Sequence, residues 1–314
     1  MQVWCVGAGS VGLLLASKLA LAGADVTVIA RSEEQAEQIR TNGILLRQQE
    51  GAVLDIRVQT SVIREMNPDQ TPNWILLTVK QQHITEGLVA EMGRRCRAGA
   101  RLLCFQNGIG HIERLHPDVP ASRLDWAVTT EGARKEGPAT ISHTGRGLTR
   151  IGSALPEIPA NEAEIAEKEQ KKLAELLNAA GFVTFVSNNM REIAWNKLLM
   201  NAVINPLTAI LECRNGELLN SEALAPLMRT LYEEGADAAA AAGIRLHEDL
   251  WNQLLDVCRK TANNHSSMLQ DLLAGRTTEI DWLNGALLAE ARARQLALPT
   301  HEAVYRLVKA KEKR

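Results

Sequence analysis

The sequence has no C-x-x-C pair, and its five cysteines (Cys5, Cys96, Cys104, Cys213, Cys258) are scattered along 314 residues. That spacing suggests neither a zinc site nor a disulfide framework. Cys5 and Cys104 lie inside apolar runs, where a reduced thiol behaves as a small hydrophobe, so a reducing, cytoplasmic setting is expected. The seven histidines show no H-x-x-x-H or carboxylate pairing at ligand spacing, and no metal site is expected. A basic excess is also missing: the formal net charge is −2, which argues against a nucleic-acid partner. No stretch approaches the roughly eighteen apolar residues of a membrane span. The opening segment lacks a positive start and is interrupted by Lys18 and Asp25, unlike an export signal.

What is present reads as a substantial core: 46% of residues are hydrophobic and 23% charged, ordinary for a soluble globular chain. The first half alternates. QVWCVG is a short strand, LLLASKLALA a helix stopping at Gly23, and DVTVIA a second strand. WILLTVK (74–80), RLLCFQN (101–107) and a run near 126–130 follow, with a helix-like stretch at 84–97. Near-continuous apolar strands between helices predict a parallel sheet covered on both faces. From about residue 160 the helix formers Ala, Leu, Glu and Lys take over. A long amphipathic helix ends at Gly181, and a short VTFVS strand follows it. Helices are then expected over 190–212, 222–243, 247–261, 267–274, 279–295 and 300–312. The reading is a doubly wound α/β domain over 1–187 and an all-α domain over 188–314.

Residues 3–12 read VWCVGAGSVG, with Gly7, Gly9 and Gly12 spaced as G-x-G-x-x-G between a strand and a helix. Gly7 permits the tight turn, Gly9 lets the backbone approach phosphate oxygens, and Gly12 lets the helix pack close to the sheet. Ala8, Ser10 and Val11 complete the loop, which is expected to bind a dinucleotide pyrophosphate. The second strand ends in VIARS, with no carboxylate before Glu33. An NAD site usually carries an acidic residue there for the ribose hydroxyls. Arg31 instead can pair with a 2′-phosphate, so NADP(H) is the expected cofactor.

The segment EIAWNKLLMNAVINPLTAI is apolar nearly all round, the mark of a buried helix. Lys197, Asn201 and Asn205 recur every four residues and form one polar stripe along it. A buried ammonium can stabilise or protonate a developing alkoxide, and the asparagines suit a small polar substrate. On spacing alone, a lysine snorkelling to the surface beside two core asparagines fits equally well. Pro206 is expected to end or kink this helix just after Asn205.

Taken together, these motifs resemble the ketopantoate reductase family along nearly the whole chain. GAGSVG and Arg31 match its cofactor loop and 2′-phosphate arginine; TVK ending at Lys80 and QNG containing Asn107 match two strand ends on the cofactor. TTEGAR places Ala133 beside the cofactor, with Glu131 where the family often has histidine. Trp195 to Thr208, Cys213 to Leu218, Ser266 to Asp271 and Thr278 to Gly285 match further motifs. The resemblance implies an N-terminal Rossmann-type doubly wound sheet plus a C-terminal all-α domain, with the active site between them. It implies NADPH-dependent reduction of 2-dehydropantoate to (R)-pantoate, for pantothenate and coenzyme A synthesis. Lys197 and Glu279 would be catalytic, with Glu279 also on the cofactor ribose. Lys80, Asn107 and Ala133 would contact cofactor, and Asn107, Asn201, Asn205, Asn215 and Ser267 substrate. The partners implied are a small keto acid and neither nucleic acid nor membrane, with the chain a monomer or homodimer. Two other readings stay open: another NADP-dependent 2-keto or 3-hydroxy acid dehydrogenase of the same plan, and a non-catalytic NADP(H) sensor.

Overall fold

The computed structural model describes residues 1–67, 69–155 and 158–312. The chain divides into two compact units, Met1–Gln106 with His111–Met190, and Asn107–Gly110 with Arg191–Arg314. Among the described residues no helix is long and apolar enough to cross a membrane.

The first unit is built on β1 (Gln2–Val6), α1 (Ser10–Leu21), β2 (Asp25–Ala30), α2 (Glu33–Asn42), β3 (Ile44–Arg47), β4 (Val53–Ile56) and β5 (Gln59–Val62). It continues through β6 (Trp74–Leu77), α3 (Glu86–Arg97), β7 (Arg101–Cys104), α4 (His111–Leu115), β8 (Leu124–Thr129), β9 (Gly132–Gly137) and β10 (Thr140–Gly145). β11 (Leu148–Ser153), α5 (Ala160–Ala179) and β12 (Val183–Val186) complete it. Eight of the described strands form one sheet in the order β12-β11-β8-β7-β6-β1-β2-β5. β1, β6 and β7 are almost wholly buried, as sheet strands covered on both faces must be.

Two features depart from the expected parallel sheet. β11 runs antiparallel to β8. A second sheet, β4-β3-β10-β9, lies within the same unit and has no counterpart in the sequence reading. Its strands are short, and β9, GARKEG, carries charged, exposed residues with no apolar run to announce it, although β3, ILLR, buries Ile44 and Leu46. The sheet packs on α1. One polar knot lies inside the first unit: Arg101 grips Asp125 through two 2.9 Å bonds, and Gln170 of α5 donates to the same carboxylate at 2.5 Å. Burial pushes the Asp125 carboxyl up, while Arg101 pulls it back.

The second unit is helical: α6 (Met190–Leu211), α7 (Leu224–Ala241), α8 (Leu250–Lys260), α9 (Ser267–Leu273), α10 (Asn284–Arg292) and α11 (Pro299–Lys311). α6 carries a continuous buried surface including Trp195, Leu198, Leu199, Ala202, Val203 and Leu207. Of the two outcomes expected at Pro206, an end or a kink, the helix does not end there; it runs on to Leu211 with the proline inside it, close to the expected span 190–212. The expected single helix over 279–295 is instead a 3-10 turn, Ile280–Trp282, followed by α10.

Candidate active site

Strand order gathers the pieces of the first unit. β1 pairs in parallel with β2 on one side and β6 on the other, so their carboxyl ends meet where the sheet's winding reverses. Ligands of doubly wound sheets bind at such a crevice. The glycine loop leaves β1 there, Arg31 follows β2, and Lys80 lies just beyond β6.

The three glycines have different reasons. Gly7 holds φ +115°, and a Cβ on Gly12 would stand 1.9 Å from the Gly7 carbonyl oxygen. Thr78 fastens this turn, donating to the Gly7 carbonyl at 2.8 Å. At Gly9 neither conformation nor packing demands glycine: φ is −86°, and a Cβ would meet nothing within 4 Å. Close approach of a ligand is the reason left. Gly9 also begins α1, which has no side-chain cap and no acidic residue in its first turn. Such an end attracts an anion to its N–H groups. The loop therefore fits a dinucleotide pyrophosphate.

Two side chains not singled out in the sequence secure the loop. Gln35 and Lys135 both donate to the Ala8 carbonyl, at 2.9 and 3.0 Å. Lys135 lies on β9 beyond Ala133, whose partner across the ladder is His143. Glu131 is bound by His143 at 2.6 Å, so its carboxylate is engaged in a buried pair. Arg31 is exposed and makes no ion pair among the described residues. A further residue, His83, has its pKa lowered first by partial burial, then by the charges of Arg31 and Lys80. Arg31 and Lys80 thus both place positive charge toward His83, and of the three only Arg31 and Lys80 had a signal in the sequence.

In the second unit, α6 presents Lys197, Asn201 and Asn205 as the four-residue spacing requires. Lys197 Nζ donates to Asn107 Oδ1 at 2.7 Å, and Asn107 Nδ2 donates to Glu279 Oε2 at 3.1 Å. Lys197, Asn107 and Glu279 are thus joined from three distant parts of the chain. Asn107 is held there because its neighbour Gly108, at φ +79°, lies against the Ile280–Trp282 turn; a Cβ would come within 2.0 Å of the Trp282 carbonyl oxygen. The neighbours of Glu279 on both sides are held by α11 and by Glu312 just after it. Thr278 donates through its N–H and hydroxyl to Glu312, while Asp281 accepts from Tyr305 at 2.7 Å and Lys309 at 3.0 Å.

Lys197 is half-buried, and loss of water around its ammonium lowers its pKa to about 8, against the opposing charge of Glu279. That value suits proton donation near neutrality. The amides of Asn201 and Asn205 bond no partner among the described residues, although Asn205 is only 8% exposed. Asn215 follows α6 on a 3-10 turn (Asn215–Leu219); its Nδ2 donates to Thr261 at 2.8 Å, while its buried Oδ1 has no described partner. Ser267 is exposed at the start of α9, because Ser266 rather than Ser267 caps that helix. Ser266 also accepts from Thr208 of α6 at 2.7 Å. Segment 261–267 therefore connects Asn215, Ser267 and the end of α6. Unsatisfied amides beside an easily deprotonated ammonium suit a small ligand with carboxylate or carbonyl oxygens.

A doubly wound sheet with an uncapped glycine loop, followed by a helical unit with a half-buried lysine, defines the class of two-unit α/β dehydrogenases. Residues 3–156 match the family described as "Ketopantoate reductase PanE/ApbA", and 189–312 match "Ketopantoate reductase PanE/ApbA C terminal". A 2-dehydropantoate 2-reductase of Pyrococcus horikoshii is 31% identical over 99% of this chain and 98% of its own. The crystal structure of a PanE/ApbA family ketopantoate reductase from Ralstonia eutropha superposes with TM-score 0.86 at 28% identity, covering 100% of this chain and 99% of that one. D-mandelate dehydrogenase in a ternary structure with NADH and anilino(oxo)acetate gives TM-score 0.90 at 25% identity, covering 100% and 98%. The chain belongs to the ketopantoate reductase family.

Proposed function

We propose that the protein reduces 2-dehydropantoate to (R)-pantoate with NADPH, serving pantothenate and coenzyme A synthesis in the cytoplasm. The observation that carries the reading is the Lys197–Asn107–Glu279 chain beside an asparagine stripe whose amides bond no partner among the described residues. Gly7 to Gly12, Arg31, Lys80 and Ala133 would hold the cofactor, and Asn107 and Glu279 would contact it. When bound, the reduced nicotinamide supplies a hydride to the ketone carbon.

The protein's own residues handle the charge that results. Negative charge grows on the ketone oxygen, and the Lys197 ammonium stabilises and protonates it. Asn107 aims the ammonium by accepting one of its hydrogens, and Glu279 sustains the charged form. Asn201, Asn205, Asn215 and Ser267 would take the substrate carboxylate and hydroxyl. Solvent then returns a proton to the lysine. A sensor would have no use for a lysine tuned toward neutrality.

The likeness to D-mandelate dehydrogenase favours a second reading, reduction of another 2-keto acid with NADH. Following the absorbance of NADPH and of NADH with 2-dehydropantoate and with an aryl keto acid separates the two. Preference for NADPH and 2-dehydropantoate in kcat/KM supports the proposal; preference for NADH and the aryl acid overturns it.

A further inference from the structure

Pro206 lies inside α6, one turn beyond Ala202. In an unbroken helix the N–H of residue 206 would donate to the carbonyl of residue 202, and proline has none. The Ala202 carbonyl is buried, so lacking a donor would be costly. Asn284, the first residue of α10, supplies one: its Nδ2 donates to the Ala202 carbonyl oxygen at 2.9 Å, across 82 residues of sequence.

The orientation of that amide is settled by its other neighbour. His301 of α11 stands 2.9 Å from the Leu231 carbonyl through Nε2 and 2.8 Å from Asn284 Nδ2 through Nδ1. A carbonyl only accepts, so Nε2 carries the proton. Nδ1 then accepts the second hydrogen of the Asn284 amide. Both hydrogens are used, and turning the amide over would set its oxygen against the Ala202 oxygen. Asn284 and His301 are each fully buried. The repaired carbonyl belongs to the residue after Asn201, on the turn that leads to Asn205.

We propose that Asn284, aimed by His301, is a positioning residue for the substrate helix: its amide replaces the N–H that Pro206 lacks and so fixes the spacing of Asn201 and Asn205. Pro206 and Asn284 act as one unit. The proline removes a bond inside the helix, and the asparagine returns it from outside, tying the substrate face of α6 to the segment that carries Glu279. The substrate half of this inference rests on the function proposed above.

The test is a double-substitution cycle of Asn284→Leu and Pro206→Ala in the full chain, read by urea unfolding and by KM for 2-dehydropantoate and NADPH. Alanine at 206 brings its own N–H, so Asn284→Leu should cost much less in that background. With Pro206 present, Asn284→Leu should lower the urea midpoint and raise the 2-dehydropantoate KM about tenfold, the scale of one buried carbonyl left unpaired. KM for NADPH should stay within about twofold. In the Pro206→Ala background the keto acid effect should shrink to about twofold or less. Equal penalties in both backgrounds overturn the replacement of the missing N–H. Coupling in urea with an unchanged keto acid KM overturns the positioning of substrate. Should Asn284→Leu fail to fold, Asn284→Ala in both backgrounds carries the same comparison. A wild-type protein that turns over no keto acid defeats the proposed function and the substrate half with it, while urea unfolding still decides the bond.

Discussion

The pH dependence of ketone reduction should report directly on Lys197. Its pKa is lowered from 10.5 to about 8 by burial of the ammonium. The donor must be protonated, so kcat/KM for reduction is full below that value and falls above it. With a pKa of about 8, the protonated fraction drops about tenfold between pH 7 and pH 9. A lysine at the ordinary value would lose only about 3% over that interval. The two cases differ enough for steady-state rates, measured by NADPH absorbance at subsaturating 2-dehydropantoate in buffers of constant ionic strength. Glu279 raises the lysine's pKa, so Glu279→Gln should move the falling limb to lower pH. Oxidation of pantoate needs the free amine and should rise over the same interval. A reduction profile flat from pH 7 to 9.5, or a limb that ignores Glu279→Gln, would refute the assignment of Lys197 as the donor.

Other changes test other parts. Arg31→Ala should raise the NADPH KM far more than the NADH KM, and equal effects in steady-state assays would contradict a 2′-phosphate role. Lys197→Met should lower kcat roughly 10²–10⁴-fold while leaving NADPH binding, read by cofactor fluorescence, nearly unchanged. Its stability should also differ in pH dependence. Between about pH 8 and 10.5 the unfolded lysine holds a proton the folded one has lost, so wild-type stability gains a rising contribution with pH. Urea unfolding of Lys197→Met across that window should lack that contribution. Arg101→Leu strands Asp125 in the core and should cost about 3–5 kcal/mol of unfolding free energy, the usual scale for halving a buried pair. A loss under about 1 kcal/mol would show that the pair is dispensable.

Much of the architecture was legible because its signals are local. β1, β6 and β7 are apolar runs in sequence and buried strands in space. The second sheet was not, since β9 and β10 have no apolar run and are completed by β3 far away in the chain. How the helix passes Pro206 was not legible for a related reason. Proline orphans the carbonyl four residues before it, and the donor that reaches that carbonyl sits on α10, 82 residues away.

The candidate site divides in the same way. By itself the sequence determined the glycine loop, Arg31 at the end of β2, and a lysine–asparagine stripe on an apolar helix, because each follows from spacing within a few residues. Only the tertiary structure decided what that lysine meets. It joined Asn107 to Glu279 across 172 residues, withdrew the Lys197 ammonium from water and brought its pKa to about 8. Residue type and period are written in the chain; desolvation and distant partners exist only once it has folded.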